Sequence, residues 1–283
     1  METVGEIRIE SRSEAKWNLF DVCFLLMFHS WLSAVCVSFV LNASGVVMPH
    51  SIAETSVTAE KQEATAEKTP AEHPLTQLIQ QCRTNPSVLL LAFLSGVIAA
   101  PLAEEFLFRL VLQHYLEKFC LLTLRIPSRS AGIVSIIFTS LLFASLHDSP
   151  RQTMPTDYLR AMMTGLTIGS ILFVAIGTLY LALFRKADAE DLGWDNNYFS
   201  KYLFADFKTA VKYAVFVIPA VMLIHIASRL LLPNEITDSV PIFFFSLALG
   251  FLFYKTRRIL PSILLHLFFN GFNFAVLLLP FFR

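Results

Sequence analysis

Two adjacent carboxylates and a guanidinium, Glu104, Glu105 and Arg109, stand inside the otherwise apolar run LAFLSGVIAAPLAEEFLFRLVLQHYL. An unpaired ionised side chain near a bilayer centre costs at least ~2.5–3.5 kcal/mol on insertion scales, so charges there pair with one another or serve a function. Residues four apart share a helix face, which lets Glu105 reach Arg109, whereas Glu104 lies about 100° further around the helix. Glu105 therefore takes the structural partner. Glu104 is left as the less neutralised carboxylate and is the candidate general base. A single structural ion network of all three residues is the alternative.

Two further apolar runs carry polar groups of the kind that work with a carboxylate. The segment SIIFTSLLFASLH ends on His147, one turn after Phe143. The segment ILPSILLHLFFNGFNF places His266 and Asn270 four apart, on one helix face. Taken singly, each has a structural reading: an interfacial histidine at a span end, and an interhelical hydrogen-bonding pair. Taken together, one carboxylate, two imidazoles and an amide donor are the inventory needed to activate water and stabilise an oxyanion. His225 and Arg229 form a rival pair four apart, but Arg229 stands near a span end where it can snorkel to the interface, so they are expected to be structural.

The elements that must position these groups are membrane helices. Of 283 residues, 55% are apolar and 16% charged, against about a quarter charged in an ordinary soluble domain. Runs long enough to match a hydrocarbon core of about 30 Å occur seven times, near residues 22–41, 87–115, 131–147, 161–184, 213–232, 240–254 and 259–282. Lipid-exposed backbone must satisfy itself, and the runs are continuous instead of alternating, so an all-helical polytopic bundle is expected and a barrel is not. Of the 22 Lys and Arg residues, about fourteen fall on one side of the expected spans and about seven on the other, which favours an inside N-terminus. A cleaved signal peptide is not expected, because Glu2, Glu6, Glu10 and Glu14 precede the first run and that run is too long.

The expected organisation is an N-terminal segment with the first span (1–48), a polar outer loop (49–86), and a domain over 87–283 that carries the chemistry. The loop is rich in Ala, Glu, Thr and Lys, too polar to bury a core. A second polar stretch, 185–212, contains Asp191, Leu192, Gly193 and Trp194, with Trp194 expected at the headgroups. Cys23, Cys36, Cys82 and Cys120 have no metal-type spacing. No nucleotide-binding glycine loop and no basic nucleic-acid face is present, so nucleic acid is not an expected partner.

At this point the motifs resemble a family: EEFLFR is similar to EExxxR, FASLH to FxxxH and HLFFN to HxxxN, in the same order, as in the CAAX protease and bacteriocin-processing intramembrane peptidases. The resemblance covers roughly 87–147 and 240–275. The two spans and charged loop of about 148–240 exceed what such proteins usually carry between the second and third motifs. The resemblance implies an intramembrane endopeptidase acting on a peptide or protein substrate at the lipid bilayer. In it Glu104 and His147 activate water, His266 and Asn270 stabilise the oxyanion, and Glu105 and Arg109 orient the site. A metal-free Glu–His site and a metalloprotease site both remain open, because Glu104, His147 and His266 could hold zinc with water in the fourth position. A prokaryotic plasma membrane is the favoured location.

Residue counting gives Glu104, His147 and His266 depths of roughly 18, 27 and 12 Å from one face, which is not level. Two other functions compete: a non-proteolytic immunity or scaffold protein of the same family, and a proton-coupled transporter using buried Glu and His as a relay. The transporter reading lacks the inverted repeat and paired broken helices expected of that class.

Overall fold

Seven apolar runs with few charges become seven long helices, because only a helix satisfies every peptide group without water or a neighbouring strand. The computed structural model describes residues 16–46, 86–147, 156–193, 202–233 and 237–279. The helices are α1 (Leu19–Ala43), α2 (Pro86–Leu122), α3 (Ser128–Leu146), α4 (Thr156–Phe184), α5 (Leu203–Leu231), α6 (Ser239–Thr256) and α7 (Ile259–Leu278). All seven are long and apolar enough to cross a membrane, and no strand occurs among the described residues. The expected all-helical bundle of about seven spans is what the chain forms. Most of the polar 49–86 loop lies outside the described residues, as do Trp194 and Cys82.

The largest boundary difference from expectation is at α5. Helix α5 starts at Leu203, ten residues before its apolar run, because the buried Asp206 in its first turn finds a partner in Arg258, whose Nε donates to the carboxylate at 2.8 and 3.0 Å. Helix α2 is not uniform. Its Leu94–Ala99 and Phe106–Gln113 stretches are π-helical, with i→i+5 hydrogen bonding, and they flank an α-helical Ala100–Glu105.

The chain divides into two compact units. The first takes in Met1–Phe28, Pro101–Asp148 and Leu172–Phe269. Within it α6 lies most extensively along α3 and also packs on α5. Ala214, Val221, Phe245, Leu249, Leu252 and Leu265 form an apolar core from α5, α6 and α7. Helix ends in this unit are tied by paired charges. Asp21 accepts hydrogen bonds from Tyr180 Oη at 2.6 Å and Arg185 Nε at 2.8 Å, Asp191 pairs with Lys16 at 2.8 Å, and Glu117 pairs with Arg257. The hydrogen bond to Asp191 holds the Lys16 ammonium above the usual lysine range. Arg257 ends α6 in the left-handed region, φ 55°, a conformation that costs a residue with a Cβ roughly 1–2 kcal/mol. Its bonds to Glu117 and its guanidinium 4.5 Å from the Tyr254 ring centre offset that cost.

The second unit takes in His29–Ala100, Ser149–Ile171 and Asn270–Arg283. Here α4 meets α1 through glycines. A Cβ built at Gly165 would run into the Val37 backbone, and one at Gly169 would stand 3.1 Å from Ser33 Cα. Glycines four apart on α4 facing residues four apart on α1 is how apolar helices approach closely without a hydrophobic driving force. Gly165→Val is expected to destabilise the protein by about 1–3 kcal/mol through overpacking. Gly96→Ala, at a position with open space around it, is expected to have little effect. Thermal unfolding of both variants in detergent checks this, and equal melting temperatures would contradict it.

Candidate active site

The ordering of the site starts with the charge that is most costly to bury. Arg109 and Glu105 are both 0% exposed, so each must be neutralised within the bundle. Arg109 Nε donates to Glu105 Oε2 at 3.3 Å, one helical turn back, and Nη2 donates to Ser246 Oγ on α6 at 2.7 Å. The guanidinium carbon lies 5.5 Å from the centre of the Phe143 ring on α3. One turn beyond, Gln113 Nε2 donates to Gly250 O on α6 at 2.9 Å. The stripe Glu105, Arg109, Gln113 is thus the polar seam joining α2 to α6.

Glu105 also reaches α7. Its Oε1 lies 2.9 Å from His266 Nδ1. A carboxylate held by an arginine accepts, so Nδ1 carries the proton and donates. That contact fixes the imidazole and turns Nε2 toward Glu104, whose Oε2 is 3.6 Å away. Phe245 at 5.2 Å and Phe143 at 6.0 Å wall the ring edge-on.

His147 arrives from α3 as the residue that caps its C-terminus. Its Nδ1 lies 2.7 Å from Phe143 O. A carbonyl only accepts, so this nitrogen donates and Nε2 is left free to face Glu104 Oε2 at 3.8 Å. The ring stacks on Phe143 at 4.2 Å between centroids. Glu104 remains 25% exposed and His147 33% exposed, against 4% for His266. Glu104 and His147 are therefore the reachable members.

Of the residues singled out in the sequence, Glu104, Glu105, Arg109, His147 and His266 come together within the first unit. The unequal depths reckoned by residue count do not keep them apart, because that count assumes upright helices ending at one level. Asn270, one turn past His266, donates Nδ2 to Gly96 O at 2.8 Å, a contact within the second unit. His225 and Arg229 sit 4.0 and 3.8 Å from Asp238.

The sequence leaves a metalloprotease site open at Glu104, His147 and His266. Among the described residues no group of three or more His, Cys, Asp or Glu is placed to hold a metal ion. Glu104 Oε2 lies 3.8 Å from His147 Nε2 and 3.6 Å from His266 Nε2. A zinc site at Glu104, His147 and His266 is therefore not supported among the described residues.

Sequence reasoning missed Ser246, Gln113 and the π-helical register of α2. The spacing of Gln113, four beyond Arg109 and eight beyond Glu105, was a readable signal. Ser246 was readable only as a lone polar residue in an apolar span, and no periodicity announces a π-helix.

The chain matches the family described as Type II CAAX prenyl endopeptidase Rce1-like over residues 86–189 and 190–272, well over half its length and including the segment between His147 and His266. No curated protein and no solved structure matches it.

Arg109→Met is expected to leave Glu105 buried without its cation and to cost about 3–5 kcal/mol. Adding Glu105→Gln is expected to recover much of that loss, since no unpaired charge then remains. Unfolding of the single and double variants in detergent measures it, and a double variant no more stable than Arg109→Met would contradict the pairing.

Proposed function

The chain belongs to the Rce1-like family of type II CAAX prenyl endopeptidases, and from that premise we propose that it hydrolyses a peptide bond at the membrane with water activated by Glu104 and His147. The observation that carries the reading is the pair of acceptors facing each other: Glu104 Oε2 and His147 Nε2 are 3.8 Å apart, and His147 Nδ1 is already spent on Phe143 O. Two acceptors at that separation are bridged by one donor, and a water molecule supplies two O–H groups.

In the proposed reaction the water oxygen attacks the scissile carbonyl carbon as Glu104 takes a water proton. The carbonyl π-pair moves to oxygen and forms a tetrahedral oxyanion. The C–N bond then breaks, and the proton held by Glu104 passes to the leaving amine. General acid–base assistance of this kind contributes about 10²–10⁴-fold. The resemblance gives His266 one oxyanion contact, and Glu105 fixes its ring through Nδ1. The resemblance gives Asn270 the second oxyanion donor, and its amide carries one N–H beyond that given to Gly96 O. Glu105 and Arg109 do not react. They hold His266 and keep the two carboxylates in different electrostatic settings, the arrangement that separates a reacting group from a supporting one. No metal enters any step.

The favoured substrate class is a prenylated C-terminal CAAX peptide, following the family description, with a double-glycine leader peptide as the competing class. The test is cleavage of both peptides by purified wild type, Glu104→Ala and His147→Ala, with and without a chelator. Wild type is expected to cut the prenylated peptide, each variant to lose about 10²–10⁴-fold, and chelator to change nothing. A wild type that cuts neither peptide, or variants that still cut, would favour a non-proteolytic role. Loss of activity with chelator would restore a metal to the mechanism.

A further inference from the structure

The second π-helical stretch of α2, Phe106–Gln113, holds Arg109 at its centre and follows directly on Glu104 and Glu105. π-Helices are mostly single-turn features, and an eight-residue run needs support from outside. All eight of its residues are buried. At its end the His114 N–H bonds to Arg109 O, five residues back, and to Val111 O, three back, so Leu110 O, the four-back acceptor of an α-helix, is skipped. Val111 O therefore stands at the junction where the wide register returns to the α-helical one.

A side chain from outside the family-matched residues is bonded to that atom. The Trp17 indole Nε1–H donates to Val111 O at 3.0 Å, and the indole meets the His114 ring edge-on at 5.1 Å. Trp17 is 1% exposed. Its chain neighbours are held on both sides. Lys16 Nζ donates to Lys186 O at 2.9 Å. Asn18 and Asp21 exchange backbone-to-side-chain bonds at 2.8 and 3.3 Å, and Asp21 is locked by Tyr180 and Arg185. The same surface continues at Phe106, which packs edge-on to Phe173 at 5.5 Å and close to Gly177, beside Leu25.

We propose that Trp17 is a positioning residue of the intramembrane site: its indole N–H, bonded to Val111 O, holds Phe106–Gln113 in the π-helical register that sets Arg109 against Glu105. In an α-helical register Val111 O would turn along the axis toward the Tyr115 N–H and withdraw from the indole. The angle between Glu105 and Arg109 would change with it, and with that the support of His266 and the aim of its Nε2 at Glu104. The N-terminal segment thus acts on the chemistry through the backbone of α2, without touching substrate.

The kinetic arm of the test rests on the endopeptidase reading, and a second arm does not. Full-length wild type and Trp17→Phe, which keeps an aromatic ring and lacks the N–H, are compared in detergent for kcat and KM on a prenylated CAAX peptide. Amide exchange over 106–114 and over 172–181 is measured on the same samples. The expected result is kcat lower by about tenfold, in line with loss of one buried hydrogen bond, with KM within about twofold of wild type. Exchange is expected to quicken over 106–114 and not over 172–181. Should Trp17→Phe fail to fold, 3-benzothienylalanine at position 17, of the same shape without the donor, replaces it. Unchanged kcat, unchanged exchange over 106–114, or exchange rising equally in both segments would overturn the proposal. If wild type cuts no peptide, the endopeptidase reading fails while the exchange arm still decides whether Trp17 holds the register.

Discussion

The fully buried pair of Glu105 and Arg109 is the constraint on which the other arrangements depend. Neither ion can be left alone in an apolar bundle, and the cost of removing one partner is several kcal/mol. Satisfying them recruits groups from three other helices: Ser246 on α6 for a second guanidinium nitrogen, the Phe143 ring on α3, and His266 on α7 for the second carboxylate oxygen. Arg109 suits this task because its planar fork donates in several directions at once, which a lysine ammonium on a flexible stem does not reproduce. The pair is therefore less a local stabiliser than the node at which the helices agree on their relative rotation within the first unit.

That node divides the labour between two neighbouring carboxylates. Glu105 is enclosed, paired and bonded to an imidazole, whereas Glu104, one residue earlier, points about 100° away and faces two imidazole nitrogens. The histidines are oriented by the same logic on opposite sides. Each has its Nδ1 taken, by Glu105 in one case and by the Phe143 carbonyl in the other, so each turns its Nε2 to Glu104. Holding one ring nitrogen to aim the other is the usual way a histidine tautomer is set.

The fold class was legible because membrane helices are written in continuous hydropathy, and seven runs sufficed to name seven helices. Their ends were less so: α5 begins in a charged stretch whose buried Asp206 pairs with Arg258, 52 positions away. In the site, Glu105 with Arg109 was readable from four-residue spacing, and Glu104, His147 and His266 from residue type within apolar runs. The partner of Asn270, the carbonyl of Gly96, was not readable, because a backbone acceptor has no signature in sequence. Trp17 was likewise opaque, since it contacts Val111 across 94 positions. The π-helical turns of α2 obey no residue code. Zinc, left open by residue type, is not supported by any group of three ligands among the described residues.

The central claim is that Glu104 and His147 act on one and the same water molecule. A double-mutant cycle on peptide cleavage tests it most directly, using Glu104→Ala, His147→Ala and the pair together. Residues that work as a unit are strongly non-additive in kcat. The account predicts that the double variant is no slower than the more impaired single variant. Losses that multiply, so that the double variant falls by the product of the two single effects, would mean that the two residues act on separate steps or separate groups, and would contradict it.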